Sequence, residues 1–196
     1  MIGEINFLVE GITDQILIVN VSSFFESFGR PHVDLSRVSI IPYGEEPALR
    51  HLVAMARARS TQIVVLSDRD SQGEKVRLYC GRESIPLLKV EDYTDRWEAD
   101  SSIEDVIGTD EYIRFINDFY AGFTWFTPLD AGAKRAAMGN RSLGSHVESL
   151  FKTQFGEDFS KTGVSVFIAD NLSRLSSQAL GRFEGLFESF QSLIVP

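Results

Sequence analysis

Apolar and polar positions alternate along the first hundred residues in blocks that predict strands and helices in turn. Short apolar runs, which are typical of buried strands, lie at 5–9, 38–43, 62–67 and 85–90. Helical periodicity predicts helices between them, from Thr13 to about Gly29, from Glu46 to Arg59 and from Glu74 to about Gly81. Single helices between strands imply right-handed crossovers, so the pattern predicts an α/β fold with a parallel sheet flanked by helices.

Local signals indicate where these helices begin. Thr13 is expected to cap the first helix, with Asp14 in its first turn, where a negative charge suits the helix dipole. Gly73 is expected to open the third helix.

The pattern changes after Tyr93, where residues 91–105 are rich in acids. From 103 to 159 we expect short helices with aromatic faces, interrupted by a glycine, alanine and basic stretch at 131–144. From Lys161 apolar residues step by three or four, which predicts one long final helix. The predicted organisation is an α/β core over 1–105, a small all-helical insertion over 106–160, and a C-terminal helix over 161–196 that returns to the core.

Composition narrows the class of protein. The 196 residues suit one domain or one core with a small appendage, and 43% apolar with 24% charged residues is typical of a folded globular chain. The sequence contains no run of 18 apolar residues, so we expect no membrane span. Its N-terminus lacks a basic region, so we expect no signal peptide. The single cysteine, Cys80, fits a reducing compartment, so we expect a cytoplasmic protein with no membrane partner.

The charge balance is acidic, with 28 Asp and Glu against 19 Lys and Arg and a net charge of −9. Such a surface disfavours a simple nucleic-acid coat protein. A nuclease can also have an excess of acids, because the carboxylates that bind its divalent cations add to the number of Asp and Glu residues. The positions of the acids are therefore more informative about function than their number.

Two predicted strands end in acids. Glu10 follows the first strand with Asp14 one helical turn on, and Asp68-x-Asp70 follows the third. In a 2-1-3-4 strand order these acids meet at the carboxyl edge of the sheet, where ligands of open parallel sheets bind. Clustered carboxylate oxygens favour Mg²⁺ or Mn²⁺, and their mutual repulsion without a cation is costly.

These segments, Val9-Glu10-Gly11-x-x-Asp14 and Leu66-Ser67-Asp68-Arg69-Asp70, resemble the two acidic motifs of the Toprim domain. That fold is shared by topoisomerases, bacterial primases, recombination mediators and nucleases of the OLD (overcoming lysogenisation defect) family. Ser102-Ile103-Glu104-Asp105, followed by a helical segment before Lys161, makes the chain most similar to the OLD class in which a helical insertion interrupts the Toprim core.

The resemblance implies a metal-dependent DNA endonuclease that uses two Mg²⁺ or Mn²⁺ ions. It implies metal ligation by six residues: Glu10, Asp14, Asp68, Asp70, Ser102 and Glu104. It implies catalytic roles for Glu10, Asp68 and Asp70, and for Lys161 as the late lysine that offsets charge on the phosphate. Ser102 is equally expected to be a helix N-cap with Asp105 three residues later, and the two roles are compatible.

The expected partners follow from the same resemblance. DNA phosphates are expected to contact basic residues near the second motif and in the insertion: Arg69, Lys75, Arg77, Arg82, Lys134, Arg135 and Arg141. OLD proteins couple an ATPase half to the nuclease, and this chain has no Gly-x-x-x-x-Gly-Lys-Ser/Thr loop. We therefore expect either an excised fragment, favoured by a strand starting so near Met1, or a partner of a separate ATPase. The aromatic-rich insertion offers a possible homodimer face.

Three alternatives remain open at the level of sequence. Another Toprim protein, such as a small ribonuclease or a primase-like core, has the same acids. A non-catalytic DNA-repair interaction module, like the recombination mediators, has the same fold. An Asp-x-Asp phosphatase of the haloacid dehalogenase type carries its acid pair after the first strand, whereas here the pair follows the third.

Overall fold

A computed structural model describes residues 3–95, 99–132 and 138–194 of the chain. Within them lie four strands: β1 (Ile5–Val9), β2 (Val38–Pro42), β3 (Gln62–Ser67) and β4 (Leu87–Lys89). They form one sheet in the order β2-β1-β3-β4, and every neighbouring pair is parallel. The predicted parallel α/β sheet and its 2-1-3-4 order are confirmed.

Helices connect and cover the strands. The first three are α1 (Ile12–Ser27), α2 (Glu46–Ala58) and α3 (Ser71–Glu83), and a 3₁₀ turn, Val90–Tyr93, follows β4. The later ones are α4 (Ile103–Ile107), α5 (Thr109–Tyr120), α6 (Leu143–Leu150) with a π turn Phe151–Phe155, α7 (Lys161–Ala169), a 3₁₀ turn Leu172–Arg174, and α8 (Ser177–Leu193).

The two faces of the sheet bury different clusters, because successive strand residues point to opposite sides. Phe7 of β1 joins the larger cluster, where its ring lies 4.5 Å from that of Phe190 in α8. The same cluster includes Tyr112 of α5 and Val147 of α6, so the later helices share the core of the sheet. Leu8 joins the smaller cluster under α2 and α3.

Two helices begin earlier than predicted, because carboxylates of the acidic motifs cap them. α1 begins at Ile12, so the capping role predicted for Thr13 is wrong; the Asp14 carboxylate accepts a hydrogen bond of 2.8 Å from Gly11 N. α3 begins at Ser71 and not at Gly73, because Asp70 is its N-cap and accepts from two backbone N–H groups.

The single long C-terminal helix is also wrong, since α7 and α8 are separated by a 3₁₀ turn. Ser176 caps α8 by accepting from Ala179 N at 3.1 Å. Leu172 and Leu175 in the break are buried in the same cluster as the helices. The apolar period therefore runs through the break and conceals it.

Two smaller predictions agree with the structure only in part. β4 is shorter than the predicted strand at 85–90. The stretch at 131–144 contains the start of α6, while Lys134 and Arg135 lie outside the described residues. Among the residues that the structure does describe, no helix has the length and apolar character needed to cross a membrane.

Candidate functional site

The carboxyl edge of the sheet collects the predicted acids. β1 and β3 are neighbouring parallel strands, so Glu10 and Asp68, the residues that follow them, come to the same edge. A cleft of about 430 Å³ lies there, lined by Glu10, Asp68, Asp70, Ser102 and Lys161. Its other lining residues include Arg141, Ser142, Ser145 and Glu148, at the start of α6 and within it.

Two further predicted acids are buried at this edge. Asp14 is 4% exposed and Glu104 is fully buried. Both carboxylates act electrostatically on Glu10 and Asp68. The structure therefore brings together all the residues that the sequence predicts for the site.

Lys161 supplies positive charge within this group of acids. Its Nζ lies 3.2 Å from Oε1 of Glu104, and Ser102 Oγ donates a hydrogen bond of 2.6 Å to the other oxygen of that carboxylate. Burial alone lowers the pKa of Lys161, but Glu104, Asp14 and Asp68 outweigh it and raise that pKa above its ordinary value. The side chain therefore stays an ammonium.

One ammonium does not offset the surrounding acids. Burial, with repulsion from Asp70 and Asp14, raises the pKa of Glu10 to about 7. Burial and Glu104 raise the pKa of Asp14 to about 6. Burial, followed by Asp14 and Glu10, raises the pKa of Asp68 well above its usual range. The site thus has an excess of negative charge that a bound cation would relieve.

The donor set suits a hard divalent cation by its chemistry. All candidate ligands are oxygens, and Oε2 of Glu10 is buried without a hydrogen-bond partner among the described residues. Across 3–95, 99–132 and 138–194, no three His, Cys, Asp or Glu side chains are already arranged around a common metal position. The residues fit Mg²⁺ or Mn²⁺ by donor type and charge.

The Asp-x-Asp loop is held closely against the first turn of α3. Oδ1 of Asp70 accepts from Gln72 N at 2.9 Å and from Gly73 N at 2.7 Å. A Cβ at Gly73 would lie 1.9 Å from the carbonyl oxygen of Asp68, far inside contact distance. Position 73 therefore requires glycine because the helix backbone approaches the loop so closely.

Asp105 joins the acidic turn to α6. Its Oδ2 accepts hydrogen bonds of 3.0 Å from Ser102 N and of 3.0 Å from Leu143 N. The first of these confirms Ser102 as the N-cap residue of α4, with Asp105 as its reciprocal partner. A Cβ at Gly144 would lie 3.0 Å from Oε2 of Glu104, so α6 packs directly on the site.

Tyr43 is a neighbour of the acids that the sequence does not reveal. It follows β2 and is 4% exposed, and its hydroxyl donates to the Leu66 carbonyl at 3.2 Å. Burial, then Glu10 and Asp68, raises its pKa above the ordinary value. Only the strand order places it beside the site, so no local motif could have identified it.

The basic residues predicted to contact phosphate have different surroundings. Arg77 is not among the residues that line the cleft, and its guanidinium is bound to Glu91 and to the backbone of Asp68, which argues against its predicted phosphate contact. Lys75 and Arg82 are exposed on α3, and Arg69 pairs with Ser101 through backbone hydrogen bonds. Arg141 lines the cleft.

Comparison of the chain with models of protein families, with curated proteins and with solved structures gives no match in any of the three.

Proposed function

We propose that this chain is a metal-dependent DNA endonuclease with a Toprim-like fold, the nuclease half of an OLD-type ATPase–nuclease. The observation that carries the proposal is the meeting of Glu10, Asp68 and Lys161 at one edge of a β2-β1-β3-β4 sheet. The acids follow neighbouring parallel strands, where open α/β sheets bind their ligands. Strongly perturbed carboxyl groups in a cleft are typical of functional sites.

Each side chain has a defined task in this proposal. Bound Mg²⁺ or Mn²⁺ would supply an activated water and stabilise the leaving 3′ oxygen. Glu10, Asp68 and Asp70 would hold one ion, and Asp14 and Glu104 would help to hold the second. Ser102 orients Glu104 through their 2.6 Å hydrogen bond, and Lys161 lies in the cleft to offset charge on the phosphate.

The part of the cleft lining at the start of α6 is suited to the rest of the substrate. Arg141 supplies a guanidinium, and Ser142 and Ser145 supply hydroxyl groups, all of which can contact phosphate oxygens. These donors lie at the start of α6, which Asp105 ties to the acidic turn through Leu143 N. We therefore propose that the segment preceding α6 and its first turn contact the DNA backbone, which would make binding fall with added salt despite the net charge of −9.

The proposal includes partners that act with this chain. In it, ATP hydrolysis belongs to a separate ATPase domain or subunit, and a second copy of the chain is a possible partner through the aromatic-rich insertion. A non-catalytic module is less favoured because it has no need of buried, mutually repelling carboxylates such as Asp14 and Glu104. A small ribonuclease or primase-like core would use the same acids, so substrate type is part of the test.

Cleavage of supercoiled plasmid DNA and of a structured RNA tests the proposal. We would compare the wild type, Asp68→Asn and Asp92→Asn, the last being an exposed acid outside the cleft. Each protein is incubated with Mg²⁺, Mn²⁺, Ca²⁺ or EDTA. We expect the wild type and Asp92→Asn to nick plasmid in Mg²⁺ or Mn²⁺ only, and Asp68→Asn to lose on the order of a hundredfold in rate.

Each other outcome points elsewhere. Cleavage of RNA alone would assign the chain to the ribonuclease alternative. Metal binding without cleavage of either substrate would favour the interaction module. Equal cutting by all three proteins in EDTA would overturn the metal-dependent nuclease altogether.

A further inference from the structure

The guanidinium of Arg77 lies behind the Asp-x-Asp loop and not in the cleft. Arg77 belongs to α3, and its two terminal nitrogens donate to the two carboxylate oxygens of Glu91 at 2.6 and 2.7 Å. Glu91 lies in the 3₁₀ turn after β4. Both side chains are largely withdrawn from solvent, with 14% and 11% exposed. This bidentate pair therefore joins α3 to the end of β4.

The same guanidinium also holds the end of β3. Nη2 donates to the backbone carbonyl of Asp68 at 2.9 Å, and Nε donates to Oγ of Ser67 at 3.2 Å. Together with the bonds to Glu91, four hydrogen bonds use most of the five N–H donors that an arginine has. The group is thus committed to hydrogen bonds within the protein.

The peptide of Asp68 is fixed from two sides. Arg77 holds its carbonyl oxygen, and the α-carbon of Gly73 lies so close that a Cβ there would come within 1.9 Å of the same atom. The next turn of chain is held by Asp70, which caps α3. Because the Asp68 side chain faces the cleft, a small movement of this peptide moves the carboxylate relative to Glu10.

We propose that Arg77 is a positioning residue that orients the Asp68 carboxylate for metal binding, and that Glu91 holds Arg77 in place. The inference rests on the proposed function, because it assigns Asp68 to a metal site. A lysine cannot replace Arg77, since an ammonium lacks the planar fork that binds Glu91 in a bidentate manner while reaching the Asp68 carbonyl. Mutation of a residue that holds a metal ligand in place by hydrogen bonds typically lowers metal affinity by about tenfold to a hundredfold.

The test compares Arg77→Lys, Arg77→Gln and Glu91→Gln with the wild type. Arg57→Gln is the matched control, because Arg57 of α2 pairs with Glu83 of α3 at an exposed position outside the cleft. Mn²⁺ affinity is measured by calorimetry at a temperature at which circular dichroism finds each protein folded. Hydrogen exchange of residues 68–73 in the metal-free protein gives a readout that needs no metal. Nuclease kcat and KM complete the set.

We expect Mn²⁺ affinity to fall at least tenfold in Arg77→Lys and Glu91→Gln, with faster exchange at Gln72 and Gly73. We expect kcat to fall more than KM rises in Arg77→Lys and Glu91→Gln, and Arg57→Gln to match the wild type. Folded Arg77→Lys and Glu91→Gln with wild-type Mn²⁺ affinity and exchange would overturn the inference, even if their melting temperatures fell. A wild type that neither binds Mn²⁺ nor cleaves plasmid would instead overturn the proposed function, and with it the metal role of Arg77.

Discussion

Nζ of Lys161 lies 3.2 Å from Oε1 of Glu104, a carboxylate with no exposed side-chain surface. The pair crosses from the first turn of α7 to α4, so it joins two helices that are distant in sequence. Asp14 and Asp68 also act on this ammonium, which makes Lys161 a cation shared by several acids. Removing it would leave a buried negative charge without compensation.

Lys161→Met should therefore destabilise the metal-free protein. Loss of one partner of a fully buried pair costs about 3–5 kcal/mol, and because Lys161 keeps 30% of its side chain exposed we expect about 2 kcal/mol. Urea denaturation in EDTA measures the change. Lys152→Met is the control, since its pair with Asp158 is exposed and should be worth less than about 1 kcal/mol. A Lys161→Met variant as stable as the Lys152→Met control would contradict the compensating role.

The free energy of unfolding of the metal-free protein should fall as pH rises. In the fold the pKa of Glu10 is raised from 4.5 to about 7 and that of Asp14 from 3.8 to about 6. The folded protein thus keeps these protons at pH values where the unfolded chain has released them. The contribution of these groups to stability is therefore full below about pH 4, begins to fall as the pH passes the unfolded pKa values of 4.5 and 3.8, and is lost through about pH 7.

Denaturation in EDTA at pH 5 and pH 8 measures this decline, with Glu10→Gln as the informative variant. The neutral amide removes one titrating group, so its profile should be flatter and its stability at pH 8 higher than that of the wild type. Glu26→Gln, at an exposed position of α1, should keep the wild-type slope. Identical slopes in Glu10→Gln and the wild type would show that the pH dependence arises elsewhere.

The sheet and the meeting of its acids followed from sequence because they depend on local periodicity and on strand ends. Glu10 and Asp68 each come directly after an apolar run, and a 2-1-3-4 order is enough to bring them together. The prediction did not require any side-chain geometry, only the rule that parallel strands end at one edge.

Other features depend on partners far away along the chain. Arg77 carries the same local signal as a phosphate-binding arginine, and only the folded structure places Glu91, fourteen residues on, against it. The break between α7 and α8 was missed because Leu172 and Leu175 keep the helical period while the backbone leaves the helix. Periodicity reports which side chains are buried, and it does not report whether the backbone between them is continuous.

Gly73→Ala should damage both the fold and the site. The new Cβ would lie 1.9 Å from the Asp68 carbonyl oxygen, so the loop or the start of α3 has to move. We expect a loss of more than about 2 kcal/mol in stability and a large loss of Mn²⁺ affinity. Gly81→Ala on the same helix is the control, because its Cβ would meet nothing within 4 Å. That change should stabilise the protein by up to about 1 kcal/mol through helix propensity, with metal affinity unchanged.

Gly144→Ala should separate activity from stability. Within α6 an alanine is favoured over glycine by about 1 kcal/mol, which offsets the strain of the added methyl group. That methyl group would lie 3.0 Å from Oε2 of Glu104 and 3.3 Å from Nζ of Lys161, both at the ends of side chains that can shift. We therefore expect stability within about 1 kcal/mol of the wild type, but weaker Mn²⁺ binding and slower plasmid nicking.

Gly181→Ala provides the comparison that isolates the contact at Gly144, because it lies in helix α8 with open space around its Cβ. It should gain a similar helix-propensity contribution and leave Mn²⁺ affinity and nicking unchanged. For both variants, calorimetry measures Mn²⁺ affinity, urea denaturation measures stability, and the nicking assay measures the rate of plasmid cleavage. If Gly144→Ala nicks plasmid at the wild-type rate, the close contact between α6 and the Glu104–Lys161 pair has no part in the reaction.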